Sequence, residues 1–406
     1  MKTFNVPEFY RSPIISKIKQ FRKLQDPRKQ DNSPTLLDFG PVQFYISRHF
    51  GFCYGVENAI EISFKALEEN TGKRLYLLSQ MIHNPAVNKD LLERGIQFLQ
   101  DTNGQQLISF DELTPQDVVI IPAFGAPLAV LELLKSKGIK TETYDTTCPF
   151  VQRVWKKSES IGKDNYTIII HGKHNHEETR STFSRSDQHN KAIIIRDLAE
   201  AQLLGDYILG KKSQQDFEID FKDKHSANFK IDTDLQRVGV INQTTMLASE
   251  TQEIADYFKK VMQEKYGAGN INSHFADTRD TLCYATNENQ HATYGLLETE
   301  ADIAVVVGGY NSSNTSHLVE LCERKFPTYF ISSDKEIKNQ TLIHHYDYPN
   351  KKHLNTSNWL PNLPVTKIVL TSGASCPDSA IEDVIYKILS FYPQTKSIDE
   401  VLKNLS

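Results

Sequence analysis

No stretch of this 406-residue chain is both long and apolar enough to cross a membrane, and no secretory leader can be read at its start. These absences predict a cytoplasmic protein. A bacterial cytoplasm is favoured over a plastid, because the acidic residues and prolines of the first segment fit a transit peptide poorly. Cysteine is scarce, and its five copies are odd in number and widely spread, which suits a reducing compartment better than a disulfide framework. None of them stand in the close pairs that a zinc ribbon needs. Neither the Gly-Lys-Ser/Thr of a Walker loop nor a G-x-G-x-x-G fingerprint occurs, so those modes of nucleotide binding are unsupported. The net charge is −5, which argues against a general nucleic-acid or anionic-membrane binder while leaving room for a local phosphate site.

What is present is an ordinary globular composition, 39% hydrophobic and 24% charged, long enough for two or three domains. Short Val/Ile-rich runs recur at 74–78, 118–121, 166–170, 192–195, 238–241, 303–307, 329–331 and 368–370, and several precede a helical pattern. That alternation predicts α/β domains with mainly parallel sheets, whose ligands gather beyond the carboxyl ends of the strands. The expected division is a basic surface arm at 1–41, a candidate oligomer contact, followed by α/β domains at 42–147, 148–279 and 280–393 and a tail at 394–406. The first strand, within 42–54, is a candidate to pack with the third domain. Residues 205–235 are charged and without clear period, and are expected to form a surface insertion in the middle domain.

The chain is organised around Asp145-Thr146-Thr147-Cys148-Pro149. Pro149 suits the first turn of a helix, so Cys148 should stand at a helix N-terminus, where free N–H groups favour a thiolate. Cys53, in Gly-Phe-Cys-Tyr-Gly-Val, and Cys283, in Leu-Cys-Tyr-Ala, have comparable settings. Read on their own, three isolated thiols are more simply buried structural residues.

Polar turns follow several strands. Ile82-His83-Asn84-Pro85 places a histidine near a strand end. His171, His174 and His176 lie on a Gly-Lys-Asn turn beside Glu177 and Glu178; phosphate binding and proton handling suit that turn better than zinc. Asn242-Gln243-Thr244-Thr245 offers neutral hydrogen bonding. Gly308-Gly309 leads into Ser312, Ser313 and Asn314, with a helix expected from about His317, and Ser375 sits in a similar turn; both suit an anion. Cys376 is a candidate fourth thiol, and Cys322 reads as helix packing.

Taken together these turns resemble the 4-hydroxy-3-methylbut-2-enyl diphosphate reductases, which close the non-mevalonate isoprenoid pathway. GFCYGV, IHNPAV, DTTCP, HNHEET, NQTTM, LCYAT, NSSNTSHL and TSGAS occur in the family's order between about Phe44 and Leu389. The resemblance implies three α/β domains in a pseudo-threefold arrangement around one 4Fe–4S cluster per chain. Cys53, Cys148 and Cys283 would be its ligands, leaving one iron open to the substrate's C4 oxygen. It implies a diphosphate pocket of His83, His176, Ser312, Ser313, Asn314 and Ser375, with Thr244 also at the substrate. Glu178 would deliver protons, supported by Thr244 and His176. Two electrons, from a ferredoxin or flavodoxin, would remove the substrate hydroxyl as water and give isopentenyl and dimethylallyl diphosphates.

One departure stands out: Phe124 occupies a turn where many bacterial relatives have a diphosphate-binding histidine. A pocket leaning more on His83 and the serines is the expectation. Cys376 is expected not to ligate iron. Other readings of the same thiols are an iron–sulfur hydro-lyase, which needs no electron donor, and a non-catalytic metal-binding protein.

Overall fold

The computed structural model describes residues 4–276, 278, 281–403 and 405. The domain boundary expected at 279/280 falls on Arg279 and Asp280, outside the described residues. The chain forms two compact units, one of Met1–Glu61, Ile82–Asp90 and Tyr284–Ser406, the other of Ile62–Met81 and Leu91–Cys283.

The first unit holds a five-stranded sheet in the order Thr35–Asp38, Val42–Ile46, Thr366–Ser372, Ile303–Val307, Thr328–Ile331. All neighbours are parallel except the first pair. Side chains alternate across it, and both faces are buried. Phe44, Ile46, Val305, Ile368 and Leu370 enter one core, while Ala304, Val306, Val369 and Phe330 enter another. This explains why these strands read as continuous apolar runs. A three-stranded antiparallel sheet follows, at Ile337–Asn339, Leu342–Asp347 and Lys352–Ser357.

The N-terminal segment is a structural part of this unit, not a surface arm. Ser12 caps the helix Pro13–Gln25 by accepting the Ile15 N–H at 2.9 Å, with Pro13 in the first turn. Ile14, Ile15 and Ile18, at helical spacing among the lysines, pack into the main core. Thr35–Asp38 then adds an antiparallel edge strand.

The second unit contains two parallel sheets. One runs Ile96–Phe98, Leu75–Leu77, Val118–Ile120; the other runs Ala192–Ile195, Thr167–His171, Val238–Asn242, Phe275–Ala276. The segment 205–235 also departs from expectation. It contains the helices Gln214–Asp220 and Ile231–Asp234, and Phe217, Phe221, Phe229 and Leu235 fill the core of the four-stranded sheet. Its apolar residues are few but large, so charge density hid a buried face.

Candidate active site

Each of Cys53, Cys148 and Cys283 stands one residue before a helix: Tyr54–Glu69, Pro149–Lys163 and Tyr284–Leu297. All five cysteines are free thiols. These three are partly exposed, whereas Cys322 and Cys376 are fully buried. That division separates candidate ligands from packing residues. Cys376 lies in the main core of the first unit, and burial pushes its thiol up to about 12.

In the second unit the Cys148 N–H donates to the Ala123 carbonyl at 2.9 Å, and Pro149 opens the helix as expected. The free thiol, however, is not a ready thiolate. Burial pushes its pKa up to about 11, outweighing the Phe150 and Val151 N–H groups aimed at the sulfur, while Cys283 and Glu178 raise it further. Desolvation wins because two N–H dipoles return less than the water lost. A cationic centre would reverse that balance, since bound metal deprotonates a coordinating thiol outright.

Glu178 is fully buried in the first turn of the helix Glu177–His189. Its Oε1 accepts the Thr244 N–H at 2.6 Å and its Oε2 the Thr244 hydroxyl at 2.9 Å. Burial lifts its pKa to about 7, against the pull of these two donors. The group therefore exchanges a proton near neutrality. Thr244 in turn accepts the Cys283 N–H at 3.2 Å through its carbonyl. One unit thus brings together Cys148, Cys283, Glu178 and Thr244.

His176 caps the same helix, its Nδ1 accepting the Glu178 N–H at 3.1 Å. With Nδ1 an acceptor, the neutral ring carries its proton on Nε2, the form that donates to an anion. Phe124 packs edge-to-face on this ring at 5.4 Å and 82°. The other two histidines of the turn take separate partners: His171 Nδ1 meets Thr251 Oγ1 at 2.9 Å, and His174 Nε2 donates to the Asp223 carbonyl at 2.7 Å. Among the described residues, no His, Cys, Asp and Glu side chains gather in threes as a metal-ion site.

Asn242 and Gln243, expected only to offer neutral hydrogen bonding, hold this half in place together with Thr281, which sequence reading passed over. Gln243 Oε1 accepts the Thr179 hydroxyl at 3.0 Å and the Lys173 N–H at 3.1 Å, tying the Glu178 helix to the strand end. Asn242 and Thr281 exchange hydrogen bonds of 2.6 to 3.0 Å and clamp the segment leading to Cys283. The run Asn242-Gln243-Thr244 follows a buried strand, which was the available signal.

The first unit assembles the other candidates. His83 lies in the turn before the helix Pro85–Glu93, and its carbonyl accepts the Ser375 hydroxyl at 3.1 Å. The Gly308-Gly309 turn passes so close that a Cβ on Gly309 would collide with that carbonyl. Ser312 caps a helix that begins at Ser313, four residues before the expected start, by accepting the Thr315 N–H at 3.3 Å. Asn314 Oδ1 accepts the Ala374 N–H at 2.8 Å and Asn289 Nδ2 at 3.2 Å. Its own Nδ2 is buried with no partner among the described residues, a donor left for an acceptor group. His83, Ser312, Ser313, Asn314 and Ser375 are all buried. Cys53 is tied to the same loops, its N–H donating to the Ala374 carbonyl at 3.1 Å. Asn289 was missed, although Thr286, Asn289, Gln290 and Thr293 form a buried polar stripe at helical spacing.

The profile of the LytB protein family matches residues 44–389. The chain belongs to the LytB family. Among LytB relatives, the 4-hydroxy-3-methylbut-2-enyl diphosphate reductase of Crocosphaera subtropica is 42% identical over 351 residues, covering 86% of this chain and 85% of that one. The enzyme of the same name from Picosynechococcus is 41% identical over 352 residues, with 86% and 85% covered. The solved E-1-hydroxy-2-methyl-but-2-enyl-4-diphosphate reductase of Plasmodium falciparum has the same fold, with a TM-score of 0.61 at 22% identity over 86% of this chain and 88% of that one. The LytB match thus spans every turn singled out above. Among the described residues no helix is long and apolar enough to cross a membrane.

Proposed function

We propose that this LytB chain reductively dehydroxylates (E)-4-hydroxy-3-methylbut-2-enyl diphosphate to isopentenyl and dimethylallyl diphosphates. Three α/β domains at 42–147, 148–279 and 280–393 carry the machinery, the first strand of the first, Val42–Ile46, being paired in the sheet of the third. Cys53, Cys148 and Cys283 hold a 4Fe–4S cluster, and the donor set fits it: three partly exposed thiols, each at a helix start, one of them receiving two backbone N–H groups. When bound, the cluster supplies the electrons and the Lewis acidity of one open iron.

The chain's own residues bind, orient and move protons. Asn314 Nδ2, the Ser312, Ser313 and Ser375 hydroxyls, His83 and the Nε2–H of His176 donate to the diphosphate. Glu178 holds a proton at its buried carboxyl and Thr244 fixes its direction. The balance is one hydroxylated substrate, two electrons and two protons in, one deoxygenated diphosphate and one water out; the C4–O bond breaks, one proton reaches carbon and the other leaves in water.

The observation that carries the reading is the Glu178–Thr244 pair, a buried acid poised near pH 7 beside two candidate ligand thiols. Turnover in D2O under a low-potential reductant tests it. Products with one solvent-derived deuterium, formed at a rate that collapses in Glu178→Gln, support it. Products formed at the wild-type rate by Glu178→Gln sink it.

A further inference from the structure

The proposed reaction consumes two electrons, and the first unit has a surface suited to receiving them. The helix Pro13–Gln25, the loop after it and the turn before Cys53 enclose a cleft of about 430 Å³. Lys19, Lys23, Lys29 and Arg48 line it against the single carboxylate Asp26. Two of the lysines have carboxylate partners, yet in each pair the lysine is the more exposed member. Lys19 and Asp378 are 36% and 18% exposed, and Lys29 and Glu288 are 40% and 29%. Lys23 has no carboxylate partner among the described residues. Arg48 is buried; one of its Nη atoms lies 3.8 Å from the Asp26 carboxylate, and its Nε has no acceptor among the described residues.

This cleft is joined to Cys53. His49 and Phe50 line it, and Cys53 lies four positions after His49, a reach of at most about 14 Å. A second connection runs through an aromatic ring. Lys29 Nζ lies 5.9 Å over the Tyr284 ring, and the Tyr284 hydroxyl accepts the N–H of Tyr54, next to Cys53, at 2.9 Å.

We infer that this cleft is the docking surface for a small acidic electron-transfer protein, which delivers electrons toward Cys53. The inference rests on the reductase reading. Each docked donor is oxidised by one electron, and two successive donors serve one removal of hydroxyl. On a chain of net charge −5, a local cationic surface overcomes repulsion of an acidic partner and orients it, an effect that salt screens.

The test is calorimetric titration of anaerobically purified holoprotein with a small acidic [2Fe–2S] ferredoxin, comparing wild type with the double variants Lys23→Glu/Lys29→Glu and Lys23→Arg/Lys29→Arg. Viologen-driven turnover is measured on the same samples. The charge-reversed protein should bind about tenfold or more weaker at low salt, with the difference closing near about 0.5 M salt. The arginine variant should bind as wild type, and viologen should drive all three equally. Equal binding by wild type and the charge-reversed variant, or no binding by wild type, overturns the surface. So does a parallel loss of viologen-driven turnover in the charge-reversed variant, which would mark a structural role. If wild type binds ferredoxin in a salt-dependent way but does not turn over with viologen, the reductase reading fails while the surface stands.

Discussion

The Glu178 carboxylate accepts both the backbone N–H and the hydroxyl of Thr244, at 2.6 and 2.9 Å. Two donors from one residue fix the plane of a buried acid and restrain its rise in pKa, which still reaches about 7. Proton donation from such a group weakens as pH climbs through that value. The rate should therefore fall on the alkaline side near pH 7, and Glu178→Gln should lose both that limb and about 10²–10⁴ in kcat. Thr244→Val deletes a bond that favours the ionised form, so its limb should move to higher pH. A pH–rate profile of the three proteins checks both.

The same group shapes stability. Its folded pKa is raised from 4.5 to about 7, so the protonated native state is favoured. That contribution is fully present below pH 4.5 and is lost as pH rises through about 7, on the order of 3 kcal/mol. Chemical denaturation at several pH values should show wild type losing stability across this window relative to Glu178→Gln, which should be flatter there.

Cys376 packs among Ile381, Val384 and Leu370 in the core of the first unit. Cys376→Ala should keep its full iron and sulfide content and lose about 1 kcal/mol of stability. Iron analysis together with a denaturation curve separates the two effects; loss of iron would make Cys376 a ligand.

Phe124 makes an edge-to-face contact with His176 where a histidine would contribute a charge-assisted hydrogen bond worth roughly 1.5–3 kcal/mol. Phe124→His should therefore tighten substrate binding by about tenfold or more. An unchanged Kd and KM would show that this position lies outside the diphosphate pocket.

Ile15 is fully buried although it belongs to a segment that reads as basic and polar. Ile15→Ala should cost about 2–5 kcal/mol, measured by denaturation. A cost below about 0.5 kcal/mol, the usual range for surface substitutions, would return the segment to the status of a surface arm.

How far the sequence could be read depends on which physical signal each part carries. The buried parallel strands were legible because both faces of each are apolar, and Cys148 was legible because proline fixes the helix start behind it. The buried faces of 1–41 and 205–235 were not, since Ile14, Ile15, Phe217 and Phe221 are diluted by exposed lysines and acids that do not enter the core. Among site residues, Glu178 and Thr244 lie 66 positions apart, and only the fold brings them into contact. The resemblance of the motifs supplied that pairing, which spacing did not. The thiolate expected at Cys148 failed for an energetic reason: a helix start was visible, but the desolvation opposing it was not.

The most direct test of the central claim is anaerobic. Purified wild type and Cys148→Ser are mixed with chemically reduced viologen and (E)-4-hydroxy-3-methylbut-2-enyl diphosphate, and viologen oxidation is followed. Oxidation that depends on substrate, consumes two electrons per product and disappears in Cys148→Ser is the expected result. Absence of substrate-dependent oxidation by wild type with a verified intact cluster would contradict it.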